Sequence, residues 1–268
     1  MKPNRAKRKL VSGGVAIGIT VNFLHPGLAE YLGMLGYDCV VVDGEHGAVV
    51  DDQLEDLARV ADLTGAAVLL RLPLNPALVQ RYLGMGISGI QVPQIQSAEE
   101  VRSLVAAAKF PPLGHRGLGN MRAGSYGLAE GGIKSVMEEA NREMLLMIQI
   151  EDRRGIARLP EILRIPEIDV VLVGHTDLSS DLGHPGEVNH AEVVQAVDDI
   201  IRQVNEAGKA AGLPASTPEE AHAMRGRGVR YFLTSVTKAI SSGSRPLLER
   251  IEMLNQTSAG VSEAVERR

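Results

Sequence analysis

Leu145-Leu146-Met147-Ile148-Gln149-Ile150-Glu151, followed after a helix-length gap by Val170-Val171-Leu172-Val173-Gly174-His175-Thr176-Asp177, decides how this chain folds. Each stretch opens as a short apolar run, reads as a buried parallel strand, and meets an acidic residue just past its last apolar position. Side chains alternate along a strand, so Gln149 and Glu151 share one face while Ile148 and Ile150 share the other. A lone carboxylate at such a position is costly to desolvate, whereas two arriving at the same end of neighbouring strands can share a cation. Glu151 and Asp177 are therefore expected to hold a divalent metal. With no paired histidine or cysteine ligand beside them, the donor set suits Mg²⁺ or Mn²⁺ before Zn²⁺.

The same pattern extends outward in both directions. Strand-like runs at 15–20, 39–43, 67–71, 89–93, 145–150, 170–174, 210–213 and 231–235 alternate with amphipathic stretches, several of them opened by a capping residue at Asp51, Asn75, Ser97 or Thr217. Eight strands each followed by a helix can close on themselves, so the expected fold is a (β/α)8 TIM barrel, favoured over an open doubly wound sheet. At 268 residues, with no Pro/Gly/Ser linker, the chain fits one domain spanning 1–268, with loose tails at 1–10 and 256–268. The connection 110–141 is too long for its place. It carries Arg116, Arg122 and Tyr126 and is expected to form a flap near the active face, with a surface excursion that ends in a helix as the plain alternative.

Composition narrows the function classes. A net charge of -5 offers no basic field for a phosphate backbone, which argues against nucleic acid as a partner. The single cysteine, Cys39, excludes an internal disulfide and a thiolate cluster and suits a reducing, cytoplasmic setting. Lys2, Arg5, Lys7, Arg8 and Lys9 before the apolar stretch 10–24 imitate a secretion signal, but Gly13, Gly14, Gly18 and Asn22 interrupt it, and a frayed basic tail is expected instead. No run approaches the length of a membrane span.

In a barrel, chemistry collects at the C-terminal strand ends. The second strand ends in Asp43-Gly44-Glu45-His46. Spacing alone leaves open which of the three polar residues faces the pocket, and a simple capping turn is the plain alternative; His46 has the intrinsic pKa best suited to proton transfer near neutrality. Arg71 ends the third strand, where a guanidinium suits a carboxylate or a developing oxyanion, or else a rim salt bridge. Gln91 ends the fourth. Backbone N–H groups over Gly174, His175 and Thr176 can form an anion pocket at a helix start, and Asp177 taken alone reads equally well as a helix cap.

These residues together resemble the HpcH/HpaI aldolase family, the metal-dependent class II pyruvate aldolases acting on 4-hydroxy-2-oxo acids. The resemblance rests on Val41-Val42-Asp43-Gly44-Glu45-His46, Leu70-Arg71, Phe110-Pro111-Pro112 with His115-Arg116-Gly117-Leu118-Gly119, Gln149-Ile150-Glu151, and Gly174-His175-Thr176-Asp177-Leu178-Ser179. It implies a modified barrel, assembled as a hexamer from dimers that exchange a C-terminal helix. It implies a divalent metal on Glu151 and Asp177, Mg²⁺ or Mn²⁺ with Co²⁺ or Zn²⁺ as substitutes. Arg71 then matches the arginine that binds pyruvate and its enolate, Gln149 an accompanying polar contact, Gly174 to Thr176 the carboxylate-binding backbone, and His46 with Asp43 an acid/base dyad. The implied reaction is reversible cleavage of a 4-hydroxy-2-oxo acid to pyruvate, or a close 2-oxo acid, and an aldehyde. Oxaloacetate decarboxylation, a citrate-lyase-like CoA-ester cleavage and a non-catalytic oxo-acid-binding barrel are the alternatives. Two departures stand out: His175 replaces a proline common in the family, and Gly84 stands where many members carry an acid.

Overall fold

The computed structural model describes residues 3–266, with side chains over 3–253. Eight parallel strands close into a barrel in sequence order: β1 (Ala16–Val21), β2 (Cys39–Asp43), β3 (Ala67–Arg71), β4 (Gly89–Val92), β5 (Leu145–Ile150), β6 (Val170–Val173), β7 (Ala210–Pro214) and β8 (Val229–Ser235). Around and across it lie α1 (Arg5–Val11), α2 (Pro26–Leu35), α3 (Asp51–Thr64), α4 (Pro76–Gly84), α5 (Ala98–Ala108), α6 (Gly132–Glu143), α7 (Arg153–Ile162), α8 (His175–Asp181), α9 (Ala191–Glu206), α10 (Pro218–Gly226) and α11 (Val236–Glu266). The (β/α)8 expectation holds. Among the described residues, no helix is long and apolar enough to cross a membrane.

Period-two alternation splits the apolar residues into two layers. Cys39, Val41, Ala67, Leu69, Leu145, Met147, Val170, Leu172 and Tyr231 form one buried cluster filling the barrel, while Val40, Val42, Val68, Leu70, Leu146, Ile148, Ile150, Val171 and Val173 join the helices in another. Continuing the inward row toward the C-terminal ends reaches Asp43, Arg71, Gln91 and Gln149. Register aligns three of them directly, Asp43 with Arg71 and Arg71 with Gln91.

Two expectations need correction. The N-terminal segment is no frayed tail: Asn4 caps α1 by accepting from the Lys7 N–H, and Ala6 and Leu10 join the cluster that fills the barrel. Its basic residues pair with acids that precede the strands, Arg5 and Lys9 with Asp38, Lys7 with Asp169 and Arg8 with Glu143. Arg5, Lys7, Arg8 and Lys9, four of the residues that imitate a secretion signal, are thus the wiring of a plug at the barrel base. The C-terminal tail expected at 256–268 falls outside the residues whose side chains are described, and the α11 backbone is assigned as far as Glu266.

The 110–141 connection lies at the opposite end of the barrel from the strand C-termini. It follows a helix, so it starts at the N-terminal face. The Asn141 side chain exchanges hydrogen bonds with both backbone groups of Phe110 (2.8 and 3.0 Å), and the Lys109 ammonium donates to the Asn141 carbonyl at 2.6 Å. Arg122 pairs with Asp62 near the end of α3. A flap over the active face of the same barrel is excluded by this anchorage.

Candidate active site at the strand ends

Asp43 lies at the centre of a dense hydrogen-bond set. One of its oxygens accepts from the backbone N–H groups of Glu45 and His46, both at 3.1 Å, and from Arg71 Nε at 3.0 Å. The other accepts from Arg71 Nη2 at 2.7 Å and from Asn22 Nδ2 at 3.1 Å. Burial disfavours the charged carboxylate, but Arg71 and the His46 and Glu45 backbone donors outweigh it and hold Asp43 below the usual range. Arg71 is thereby locked in a bidentate grip with donors to spare, and Nη1 lies 3.4 Å from Glu45.

This arrangement revises the relation between Asp43 and His46. Asp43 binds the His46 backbone and not its ring; the imidazole is 67% exposed at the rim, with its Nε2 3.7 Å from a Glu45 oxygen. Asp43 therefore shapes the turn and clamps Arg71, while the ring of His46 stands exposed at the rim beside Glu45.

Glu151 is only 6% exposed. Its oxygens accept from the Gln94 backbone N–H and from Gln149 Nε2, each at 2.7 Å. Gln149 in turn accepts from Gln91, so three side chains form a buried polar chain from β4 to the end of β5. Burial raises the Glu151 pKa first, the two donors oppose it, and the negative charges of Asp177 and Glu45 raise it further. Among the described residues, no lysine or arginine pairs with Glu151 or Asp177. A buried carboxylate that feels the negative charge of Asp177 and Glu45, with no lysine or arginine paired to it, suits a divalent ion, so the chemistry of these oxygen donors fits the expected metal.

Gly174 permits that placement. A Cβ there would lie 2.2 Å from a Glu151 oxygen, so only glycine lets β6 pass the carboxylate at this distance. The Gly174 N–H already donates to the Ile150 carbonyl at 3.1 Å, which takes this residue out of the expected anion pocket and leaves the N–H groups of His175 and Thr176 for it. Asp177 lies exposed in the first turn of α8. His175 is partly buried and its Nδ1 has no partner. Burial, followed by the charge of Lys238, pushes its imidazole pKa down, against the opposing pull of Asp177 and Glu220.

Sequence reasoning undervalued Gln91 and Glu45 and missed Gln94 and Asn22. Gln94 follows β4 with a left-handed φ of 55°, a conformation rare for glutamine, and supplies both a backbone donor to Glu151 and a side-chain contact to Glu45 at 3.3 Å. No periodicity marks such a residue; its position just past a strand end is the only signal.

Known proteins are similar to this chain in fold and in sequence. The chain is 34% identical over 236 residues to a hydroxypyruvate/pyruvate aldolase of Roseovarius nubinhibens, covering 87% of this chain and 90% of that protein. It is 32% identical over 263 residues to a 2-keto-3-deoxy-L-rhamnonate aldolase of Klebsiella pneumoniae, covering 97% and 96%. The crystal structure of an HpcH/HpaI aldolase from Desulfitobacterium hafniense superposes with a TM-score of 0.86 at 29% identity, covering 92% and 96%. The sequence model of HpcH/HpaI aldolase/citrate lyase matches residues 17–243, and this chain, a carbon–carbon lyase by its relatives, belongs to that family.

Proposed function

We propose that the protein is a divalent-metal-dependent aldolase that cleaves a 4-hydroxy-2-oxo acid, reversibly, to pyruvate or a close 2-oxo acid and an aldehyde. Named relatives support the class of reaction. The single observation that carries the metal dependence is Glu151, a buried strand-end carboxylate with no lysine or arginine paired to it among the described residues, which hydrogen-bonds only to the Gln94 N–H and the Gln149 amide. When bound, a divalent ion supplies Lewis-acid polarisation of the oxo group. Glu151 and Asp177 would hold it, and Mg²⁺ or Mn²⁺ suits their oxygen donors. Arg71, fixed by Asp43, offers its remaining donors to the oxygen that gains charge as the carbon–carbon bond breaks. His46 takes the proton from the 4-hydroxyl during cleavage and returns it in the addition direction.

The site is proposed to work within an oligomer. Outward-facing Ile17 on β1 is 45% exposed, where a closed barrel normally carries a covering helix. It lines a groove of about 1130 Å³ with Tyr37, Ala221 and Phe232, while α11 leaves the barrel with Ile240, Leu247, Leu248 and Ile251 exposed. The start of α11, from Thr237 to Pro246, forms one wall of that groove, and the exposed apolar residues farther along, Leu247, Leu248 and Ile251, suit the groove of a second copy of the chain.

The test is pyruvate release from a panel of 4-hydroxy-2-oxo acids by purified protein with Mg²⁺ or Mn²⁺. Turnover is expected, with loss after EDTA treatment and in Glu151→Gln. Full activity without metal would overturn the metal role. Decarboxylation of oxaloacetate with no aldol cleavage across the panel would overturn the substrate class.

A further inference from the structure

The loop after α8 and the first turn of α9 bring three potential metal ligands together. His184, His190 and Glu192 each offer one ligand atom, and these atoms all lie within 4.8 Å of one another. His184 Nε2 stands 3.1 Å from a Glu192 oxygen. The two imidazoles stack with centroids 3.5 Å apart and planes 19° from parallel. We propose that His184, His190 and Glu192 form a second metal site, selective for a transition ion such as Zn²⁺ and chemically distinct from the acidic site at the strand ends.

The donors decide the ion. Two neutral imidazoles and a carboxylate suit Zn²⁺, with water in the fourth position, whereas Mg²⁺ prefers oxygen donors and octahedral geometry. Bonds of about 2.0–2.1 Å to a tetrahedral ion space the donors roughly 3.4 Å apart. The His184–Glu192 pair already has that spacing, and the His190 ring must turn out of its stack on His184 to aim a nitrogen at the same ion. His190 gives up little, since its Nδ1 holds the α9 cap only through a 3.3 Å bond from the Glu192 N–H. Among the described residues, no lysine or arginine pairs with Glu192 to compete for its carboxylate.

The backbone around the site is held in place. The buried Ser179 hydroxyl accepts from the Gly186 N–H at 3.1 Å and donates to the Thr176 carbonyl at 2.7 Å, and the His184 N–H donates to the Ser179 carbonyl at 2.8 Å. The loop is thereby tied to α8, the helix that carries Asp177. The ligands are thus presented from a fixed frame by side chains free to rotate.

The test counts metal in the full chain without relying on turnover. In a metal-stripped Glu151→Gln, Asp177→Asn double variant, equilibrium dialysis against Zn²⁺ is expected to leave one ion per chain, and excess Mg²⁺ should not displace it. Adding His184→Gln, or His190→Asn, which keeps a capping side chain on α9, should weaken that binding at least tenfold. Substituted Co²⁺ should show the visible band of a nitrogen-containing tetrahedral site, and the band should vanish with either histidine change. Unchanged Zn²⁺ binding after both histidine changes, or no Zn²⁺ in the double variant, would overturn the proposal. Neither result bears on the strand-end site, which is tested separately by Mn²⁺ binding to the His184→Gln protein.

Discussion

Gly174 and Asp43 show how single residues set this site. At Gly174 the constraint is steric: alanine would drive a methyl into Glu151, so Gly174→Ala is expected to weaken Mn²⁺ binding at least tenfold while leaving the barrel folded, as measured by calorimetric titration and circular dichroism. At Asp43 the constraint is electrostatic. Asp43→Asn removes the charge that clamps Arg71, and kcat should fall by about 10²-fold, with a smaller change in KM, because a preorganised oxyanion donor acts mainly in the transition state. Comparable kcat in Asp43→Asn and the parent protein would remove the clamp from the mechanism. Glu151, Arg71 and Gln149 were legible in the sequence because strand periodicity points them inward. Gln94 was not, since its role comes from a backbone N–H in an unusual conformation that no residue pattern encodes.

Capping chemistry was the most readable feature among the helices. Asn75, Ser97 and Thr217 cap α4, α5 and α10 through their side chains, with a full capping box at Ser97 and Glu100, while Asp51 instead lies inside α3 after Val50. The α1 plug was unreadable because its meaning depends on acids far along the chain. Glu143 illustrates the coupling. Burial raises its pKa, but Arg8, the Asn4 N–H and Arg142 outweigh that and hold it at about 2. The folded value lies below the unfolded one, so the unfolded chain takes up the proton first. The stabilisation is complete above the ordinary carboxylate range and is lost as pH falls toward 2. Glu143→Gln is expected to destabilise the protein at pH 7 by roughly 1–2 kcal/mol, the exposed Arg8 limiting the effect, and to flatten the acid limb of a urea-denaturation series. An unchanged acid limb would mean that α1 contributes nothing through this pair.

For the whole molecule, the unfilled groove beside β1 and the exposed apolar residues of α11 make self-association the expected solution state. Leu247→Glu together with Ile251→Glu should shift the protein to a smaller species in light scattering while keeping its barrel circular dichroism; an unchanged mass would separate α11 from assembly. The sequence by itself determined the eight-strand barrel and the strand-end position of its polar residues, because hydrophobic periodicity and position along a strand are local properties, and its motifs carried the resemblance that implied the reaction. Tertiary structure alone decided that Asp43 holds Arg71 rather than the His46 ring and that the basic N-terminus plugs the barrel base. It also decided that the 110–141 excursion packs at the face away from the strand C-termini, and that His184, His190 and Glu192 meet. Each of these depends on which groups from separate elements come within hydrogen-bonding or ion-pairing distance, and chain closure, not residue pattern, fixes those distances.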